Sequence, residues 1–242
     1  MAILVTRPYP DNEKTAQGLR ARGFDVLVSP ALRLEPLPFH YDTEVNYDAV
    51  IVTSANAVRA VQDDPALGPL HGLKLFAVGD ASAQMARQAG FTNVVSASGD
   101  GAALREAVTA GLKKGTTLCY LAGADLGRDL TIELGERGYT VITHTTYRMM
   151  PVPVFDDAAM TAFKTNSVDA VLHYSRRSAR SFVEAAQASG IEILALALRH
   201  VCISETVASI LREAGAGRIV VARAPDENAI FEALDRALGA AS

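Results

Sequence analysis

The residues best suited to chemistry are small hydroxyls, glycines and amides gathered in short turns. Thr53-Ser54-Ala55-Asn56, Gly79-Asp80-Ala81-Ser82, Ser98-Gly99-Asp100-Gly101 and Ala122-Gly123-Ala124-Asp125 are of this kind, as are Ser175-Arg176-Arg177-Ser178 and Ser204-Glu205-Thr206. Such turns leave backbone N–H groups open to an anion, and at a helix start each is worth roughly 0.3–1 kcal/mol toward a negative group. Ser, Thr and Asn are also ordinary helix caps, so one turn alone decides nothing. Their number, and their recurrence at matching places, favours ligand binding. Arg7, Arg128, Arg148, Arg176 and Arg177 carry guanidinium forks that suit carboxylates, against a default of solvated surface arginine. Tyr147 offers a phenol that can give a proton or a hydrogen bond while uncharged at neutral pH; its competing role is packing.

Other chemistries lack their residues. There is no GxxxxGK[ST] phosphate loop, and Gly99-Asp100-Gly101 lacks the third glycine of a dinucleotide turn. His40, His71, His144, His173 and His200 are scattered, with no HExxH and no carboxylate at ligand spacing, so no metal is expected. No GxSxG elbow is present. Cys119 and Cys202 lie inside apolar runs and form no CxxC, which suits buried thiols in a reducing compartment. The net charge of −4 gives no basic field for nucleic acid or an anionic membrane. The start MAILVTRPYPDNEK reads as a first strand rather than a signal peptide, and no window approaches a membrane span. With 49% hydrophobic and 21% charged residues, the expectation is a soluble, cytoplasmic, globular chain.

Positioning these turns requires many short strands. Apolar, β-branched runs near Ile3–Thr6, Asp25–Ser29, Ala49–Thr53, Lys74–Val78 and Asn93–Ser96 predict one set. Runs near Thr117–Leu121, Thr140–His144, Asp169–His173, His200–Ile203 and Arg218–Ala222 predict another. Helical patterns separate them, as where Ala81, Met85, Ala86 and Ala89 precede Gly90. Continuous apolar strands alternating with helices indicate buried parallel sheets, two of five strands rather than one of ten. The turns would then sit at the carboxyl ends of strands, where ligands of α/β sheets gather.

The chain also repeats itself. LRARGFDVLVSPALRLEPLP (19–38) aligns with LGERGYTVITHTTYRMMPVP (134–153) at an offset of 115. VIVTSANAV aligns with VLHYSRRSA at 121, AVGDASAQMARQAG with CISETVASILREAG at 125, and DGAALREAV with DENAIFEAL at 126. The order is kept throughout, so the chain is two copies of one βα-rich unit. Each copy carries a stiff proline-bearing stretch after its second strand, with Pro36 and Pro38 in the first and Pro151 and Pro153 in the second. Paired extended crossings suit two domains joined by a double connection. Two consecutive domains divided near Lys113–Gly115 are the alternative.

The ordered set ILVTRP, VIVTSANAV, FAVGDASA, LAGADLGRDL, LGERGYTVITHTTYR, DAVLHYSRRSA, CISETVA and ARAPDENAIFEAL resembles the uroporphyrinogen-III synthase family, from Ile3 to about Leu238. The resemblance implies two flavodoxin-like domains of five parallel strands each, one of residues 1–32 plus 153–242 and one of residues 38–147. Linker strands 33–37 and 148–152 would form a two-stranded β-ladder, with the strand-end loops around an interdomain cleft. It implies cyclisation of hydroxymethylbilane to uroporphyrinogen III, with loss of water, inversion of the terminal ring through a spiro intermediate, and no cofactor. Tyr147 matches the family's tyrosine and becomes the expected proton donor to the leaving hydroxyl. Thr53, Ser54, Gly79, Ser82, Gly123 and Ser175 match cleft-lining motif positions, and Arg7, Arg128, Ser178 and Thr206 complete the expected substrate-binding set. The substrate's eight carboxylates would be met by many helix starts rather than by one basic patch. Two departures stand out: the GxxTA turn reads Gly79-Asp80-Ala81-Ser82-Ala83, and its second copy reads Ser204-Glu205-Thr206-Val207-Ala208, with Val207 replacing a hydroxyl and Glu205 adding a charge. A monomer acting on a small molecule is expected. A non-catalytic two-domain ligand-binding or sensor protein is the alternative from another class.

Overall fold

A computed structural model of the chain describes residues 2–125 and 129–239. Its elements run β1 (Ala2–Val5), α1 (Asp11–Ala21), β2 (Asp25–Val28), β3 (Leu32–Pro36), β4 (Ala49–Val52), α2 (Ala55–Arg59), a 3-10 turn at Pro65–Leu70, β5 (Lys74–Ala77), α3 (Asp80–Gln88), β6 (Asn93–Ser96), α4 (Gly101–Gly111) and β7 (Thr117–Gly123). They continue with α5 (Asp129–Glu136), β8 (Thr140–Pro151), α6 (Asp157–Lys164), β9 (Val168–His173), α7 (Arg176–Ala188), α8 (Glu192–Leu196), β10 (Arg199–Cys202), α9 (Glu205–Glu213), β11 (Ile219–Val221) and α10 (Glu227–Gly239). The chain divides into two compact units, Met1–Arg33 with Met150–Ser242, and Leu34–Met149.

The discontinuous unit holds a five-stranded sheet in the order β2-β1-β9-β10-β11, every pair parallel. Both faces are covered. Leu4, Val171, Phe182 and Leu211 build the core on one side, and Ile3, Val5, Leu172, Phe231 and Leu234 build it on the other. The continuous unit holds six strands in the order β3-β8-β7-β4-β5-β6. Its β4 is the unbroken run Ala-Val-Ile-Val with every residue buried, as a parallel strand sandwiched between helices requires. Val50 and Val52 face a core with Leu121 and Met85, while Ala49 and Ile51 face Phe76, Leu104 and Tyr120.

The sequence repeat maps onto this topology by exchange. Aligned segments equate β2 with β8, β4 with β9, the end of β5 with the end of β10, and α4 with α10. Each sheet therefore takes its first two βα strands from one copy and its last three from the other. The proline-bearing stretches are where the chain passes between units.

Two sequence expectations change. The strand expected at Thr140–His144 runs on to Pro151, because Thr145, Thr146 and Tyr147 extend the β-branched and aromatic run and no Gly or Pro interrupts it. The second sheet has six strands instead of five because β3 joins the free edge of β8. Leu37 N donates to Thr146 O at 2.8 Å and Val152 N to Ala31 O at 3.0 Å, which sets the two strands antiparallel. On α3 the buried stripe is Ser82, Ala83, Met85 and Ala86, with Ala81 exposed, and Gly90 follows at φ 99°, the left-handed stop its position suggested. Among the described residues no helix is long and apolar enough to cross a membrane.

Candidate functional site

In the continuous unit, the carboxyl edge of the sheet gathers Thr53 and Ser54 after β4, Gly79 after β5, Gly123 at the end of β7 and Tyr147 on β8. Ser54 is the cap of α2, its Oγ accepting from Asn56 N at 3.2 Å. The Tyr147 hydroxyl donates to that same Oγ at 3.3 Å. A register irregularity between Ala122 and Gly123 brings Gly123 opposite Tyr147, and Ala124 N donates to Tyr147 O at 2.8 Å. The ring lies against Gly123 so closely that a Cβ there would stand 2.6 Å from its Cζ. Glycine is required at that position to seat the tyrosine. Fully buried Thr146 donates to Ala57 O at 2.9 Å, tying β8 to α2.

A second tyrosine, not singled out from the sequence, stands across the same strand end. Tyr120 on β7 is 2% exposed in a cluster that is apolar apart from it and Tyr139, and its hydroxyl lies 2.9 Å from Thr53 Oγ1. Burial pushes its phenol above the ordinary tyrosine range. Adjacent hydroxyls at the end of β4 thus each meet a different tyrosine: Thr53 meets Tyr120, and Ser54 meets Tyr147. The available signal was a phenol inside the apolar run LCYLAG, where a core-only residue would be expected to lack a polar atom.

Gly79 caps α3 with extended backbone, and nothing lies within 4 Å of where its Cβ would be, so the turn is open. Ser82 is buried on the inner side of α3. Asp80 already places a carboxylate at this helix start, where it accepts from Ser96 Oγ at 2.6 Å.

In the discontinuous unit, Ser175 caps α7 by accepting from Ser178 N at 3.1 Å, and the two hydroxyls lie 2.8 Å apart. Ser178 is buried and Ser175 exposed. Thr206 Oγ1 lies 3.0 Å from Ser204 Oγ at the start of α9. Glu205 is ion-paired to Arg212 on the same helix, which offsets the charge that set this turn apart. Arg7 is engaged within its own unit. Its guanidinium pairs with Asp11 at 3.1 Å and Glu227 at 3.5 Å, donates to Thr15 Oγ1 at 3.2 Å, and stacks 4.1 Å over the Tyr174 ring. Arg148 pairs with Glu35 at 2.6 Å beside the crossing. Arg128 lies outside the described residues. Cys119 and Cys202 are fully buried, and burial pushes each thiol up to about 12. Among the described residues no three His, Cys, Asp or Glu side chains converge as a metal site.

A family comparison covers most of the chain. The sequence model of "Uroporphyrinogen-III synthase HemD" matches residues 13–232. The chain belongs to the uroporphyrinogen-III synthase family. Its activity is that of a cyclising hydro-lyase of tetrapyrrole biosynthesis. The fold agrees with that of family members. Uroporphyrinogen-III synthetase from Helicobacter pylori superposes with a TM-score of 0.64 at 17% identity, covering 98% of this chain and 99% of the other. A mutant uroporphyrinogen III synthase from the extremely thermophilic bacterium Thermus thermophilus gives 0.56 at 20% identity, with 99% of each chain covered. No curated protein sequence matches significantly.

Proposed function

We propose that Tyr147 is the catalytic acid of this synthase and that the strand-end turns bind the substrate's carboxylates. The substrate is hydroxymethylbilane, and the product is uroporphyrinogen III with its terminal ring inverted. The observation that carries the reading is the placement of the half-buried Tyr147 hydroxyl, 3.3 Å from Ser54 Oγ at the carboxyl end of the sheet. That bond is long for an O–H···O contact, so the phenolic hydrogen is weakly held and ready for a better acceptor. Given to the leaving hydroxyl, it lets the C–O bond break with departure of water. The proton lost from the attacking ring carbon as closure restores aromaticity balances the one donated. The remaining work is positioning of a linear, reactive substrate so that one closure outruns the other.

Thr53, Ser54, Gly79, Ser82 and Gly123 form the binding set in the continuous unit, with Ser175, Ser178 and Thr206 in the other. Arg7 and Arg128 remain in the proposed set, Arg7 through exchange of an internal carboxylate for one from the substrate. The units are read as flavodoxin-like domains, residues 1–32 plus 153–242 and residues 38–147, with 33–37 and 148–152 as linker strands. The strand order β2-β1-β9-β10-β11 supports this reading, as does the same order formed by β8-β7-β4-β5-β6 when its strands are taken by copy. The chain is taken to act as a cytoplasmic monomer without cofactor, nucleic acid or membrane, and the net charge of −4 supports the last two.

Tyr147→Phe tests the acid. It removes the hydroxyl and keeps the ring, so stability should change by about 1 kcal/mol or less. Turnover should fall by about 10²-fold, the lower end for a positioned general acid, with product drifting toward the uninverted isomer. Unchanged turnover would dismiss the role.

A further inference from the structure

We infer that Tyr120 is a positioning residue which turns the Thr53 hydroxyl into an outward-facing hydrogen-bond donor for a substrate carboxylate. The inference rests on the reading of Thr53 as part of the binding set. The Tyr120 ring sits among Ala49, Ile51, Phe76, Leu104 and Leu134, where phenylalanine would pack as well. Its hydroxyl therefore needs another reason to be there. Among the described residues its hydrogen-bond partner is Thr53 Oγ1 at 2.9 Å.

The direction of that bond follows from burial. A phenolic O–H left unpaired in an apolar cluster is costly, so Tyr120 donates and Thr53 Oγ1 accepts. The Thr53 side chain is only half-buried at the carboxyl edge of the sheet. Its own hydrogen cannot go back to Tyr120 and is left to point away from the buried phenol, toward the open edge. A hydroxyl free to rotate offers an anion either a lone pair or a hydrogen. One already accepting from a fixed donor keeps a second lone pair, but its hydrogen is turned away from that donor and is available to an anion. Burial raises the pKa of Tyr120, which keeps the donor protonated throughout the neutral range. The ligand class this arrangement favours is a hydrogen-bond acceptor, here a carboxylate.

A double-mutant cycle on Tyr120→Phe and Thr53→Val tests it, with hydroxymethylbilane as substrate and thermal unfolding as a folding control. Tyr120→Phe should raise KM by about 3–10-fold, the range of one oriented hydrogen bond, with kcat within about twofold. The doubly substituted enzyme should match Thr53→Val alone, because the tyrosine acts only through that hydroxyl. Losses that multiply independently, or a KM in Tyr120→Phe equal to that of the parent enzyme, would overturn the inference. Tyr147→Phe, measured alongside, separates the two claims. An unimpaired Tyr147→Phe together with a raised KM in Tyr120→Phe would sink the acid and leave the positioning role standing.

Discussion

Gly123→Ala is the sharpest structural probe of the Tyr147 assignment, because it moves the hydroxyl without deleting it. The added Cβ would lie 2.6 Å from Tyr147 Cζ and 2.8 Å from both Cε1 and the hydroxyl oxygen, whereas ordinary contacts begin at 3.4 Å. The ring must recede by about 0.8 Å to reach that limit, a displacement comparable to the ~1 Å errors that cost about 10²-fold in positioned catalysis. The hydroxyl starts 3.3 Å from Ser54 Oγ, so a shift of this size is large enough to change that contact. Gly123 lies within β7, and alanine needs no unusual backbone there. Tyr147 is half-buried, so the ring can yield toward the open edge, and the overpacking cost should sit near the low end of about 1–3 kcal/mol. Steady-state turnover with isomer analysis, beside thermal unfolding, should show a loss of about 10–100-fold in a protein that remains folded. In the Tyr147→Phe background the same substitution should add little, since no hydroxyl remains to be misplaced. Parent-like turnover and product in Gly123→Ala would refute the claim that the position of this hydroxyl matters.

Other outcomes follow from the same structure. His173 Nε2 and His200 Nδ1 lie 3.0 Å apart and fully buried; burial holds His200 down to about 4 and His173 well below 6.5, with the neighbouring imidazole lowering His173 further. Their neutral forms stabilise the fold above pH 6.5, and stability should fall as pH drops from 6.5 toward 4, by roughly 3 kcal/mol for His200 alone; urea midpoints that stay flat between pH 6.5 and 5 would contradict this. A fragment of residues 34–149 should unfold cooperatively, whereas residues 1–115 should not, because the latter splits both sheets; circular dichroism melts of the two decide it. Cys119 and Cys202 should resist a thiol reagent at pH 8 until the protein is denatured, since burial keeps both protonated; rapid labelling of the native chain would place a thiol at the surface. Arg148→Ala should leave the denaturation midpoint nearly unchanged, as the pair with Glu35 is solvent-exposed; a clear drop in that midpoint would give the pair a stabilising role.

Much of this architecture is legible in the chain because parallel strands buried on both faces must be written as unbroken apolar runs, such as AVIV at β4. The repeat was legible for a related reason: both copies reuse Gly and Pro where φ is constrained, as at Gly23 and Gly138, with φ 85° and 92°. From residue pattern alone β3 and the end of β8 read as an extended crossing, because their residues alternate in exposure and carry charge, as in Leu32-Arg33-Leu34-Glu35; linker strands there were an implication of the family resemblance. The site was visible as residue types but not as pairings. Nothing local in Thr53 or Tyr120 announces that strands β4 and β7, far apart in the chain, are neighbours with Tyr120 beside Ile51. The commitment of Arg7 to Asp11, Glu227 and Tyr174 was hidden for the same reason, since Glu227 and Tyr174 come from distant elements. Charge counted along a sequence does not reveal which charges are already matched.

The most direct measurement is the isomer composition of the product formed when the purified chain acts on hydroxymethylbilane. Spontaneous closure gives the uninverted ring system, so only an enzyme that positions the terminal ring yields the other. Uroporphyrinogen III should dominate at enzyme concentrations where closure outpaces the spontaneous reaction, and the excess should decline in Tyr147→Phe. A product mixture indistinguishable from that of buffer alone would contradict this.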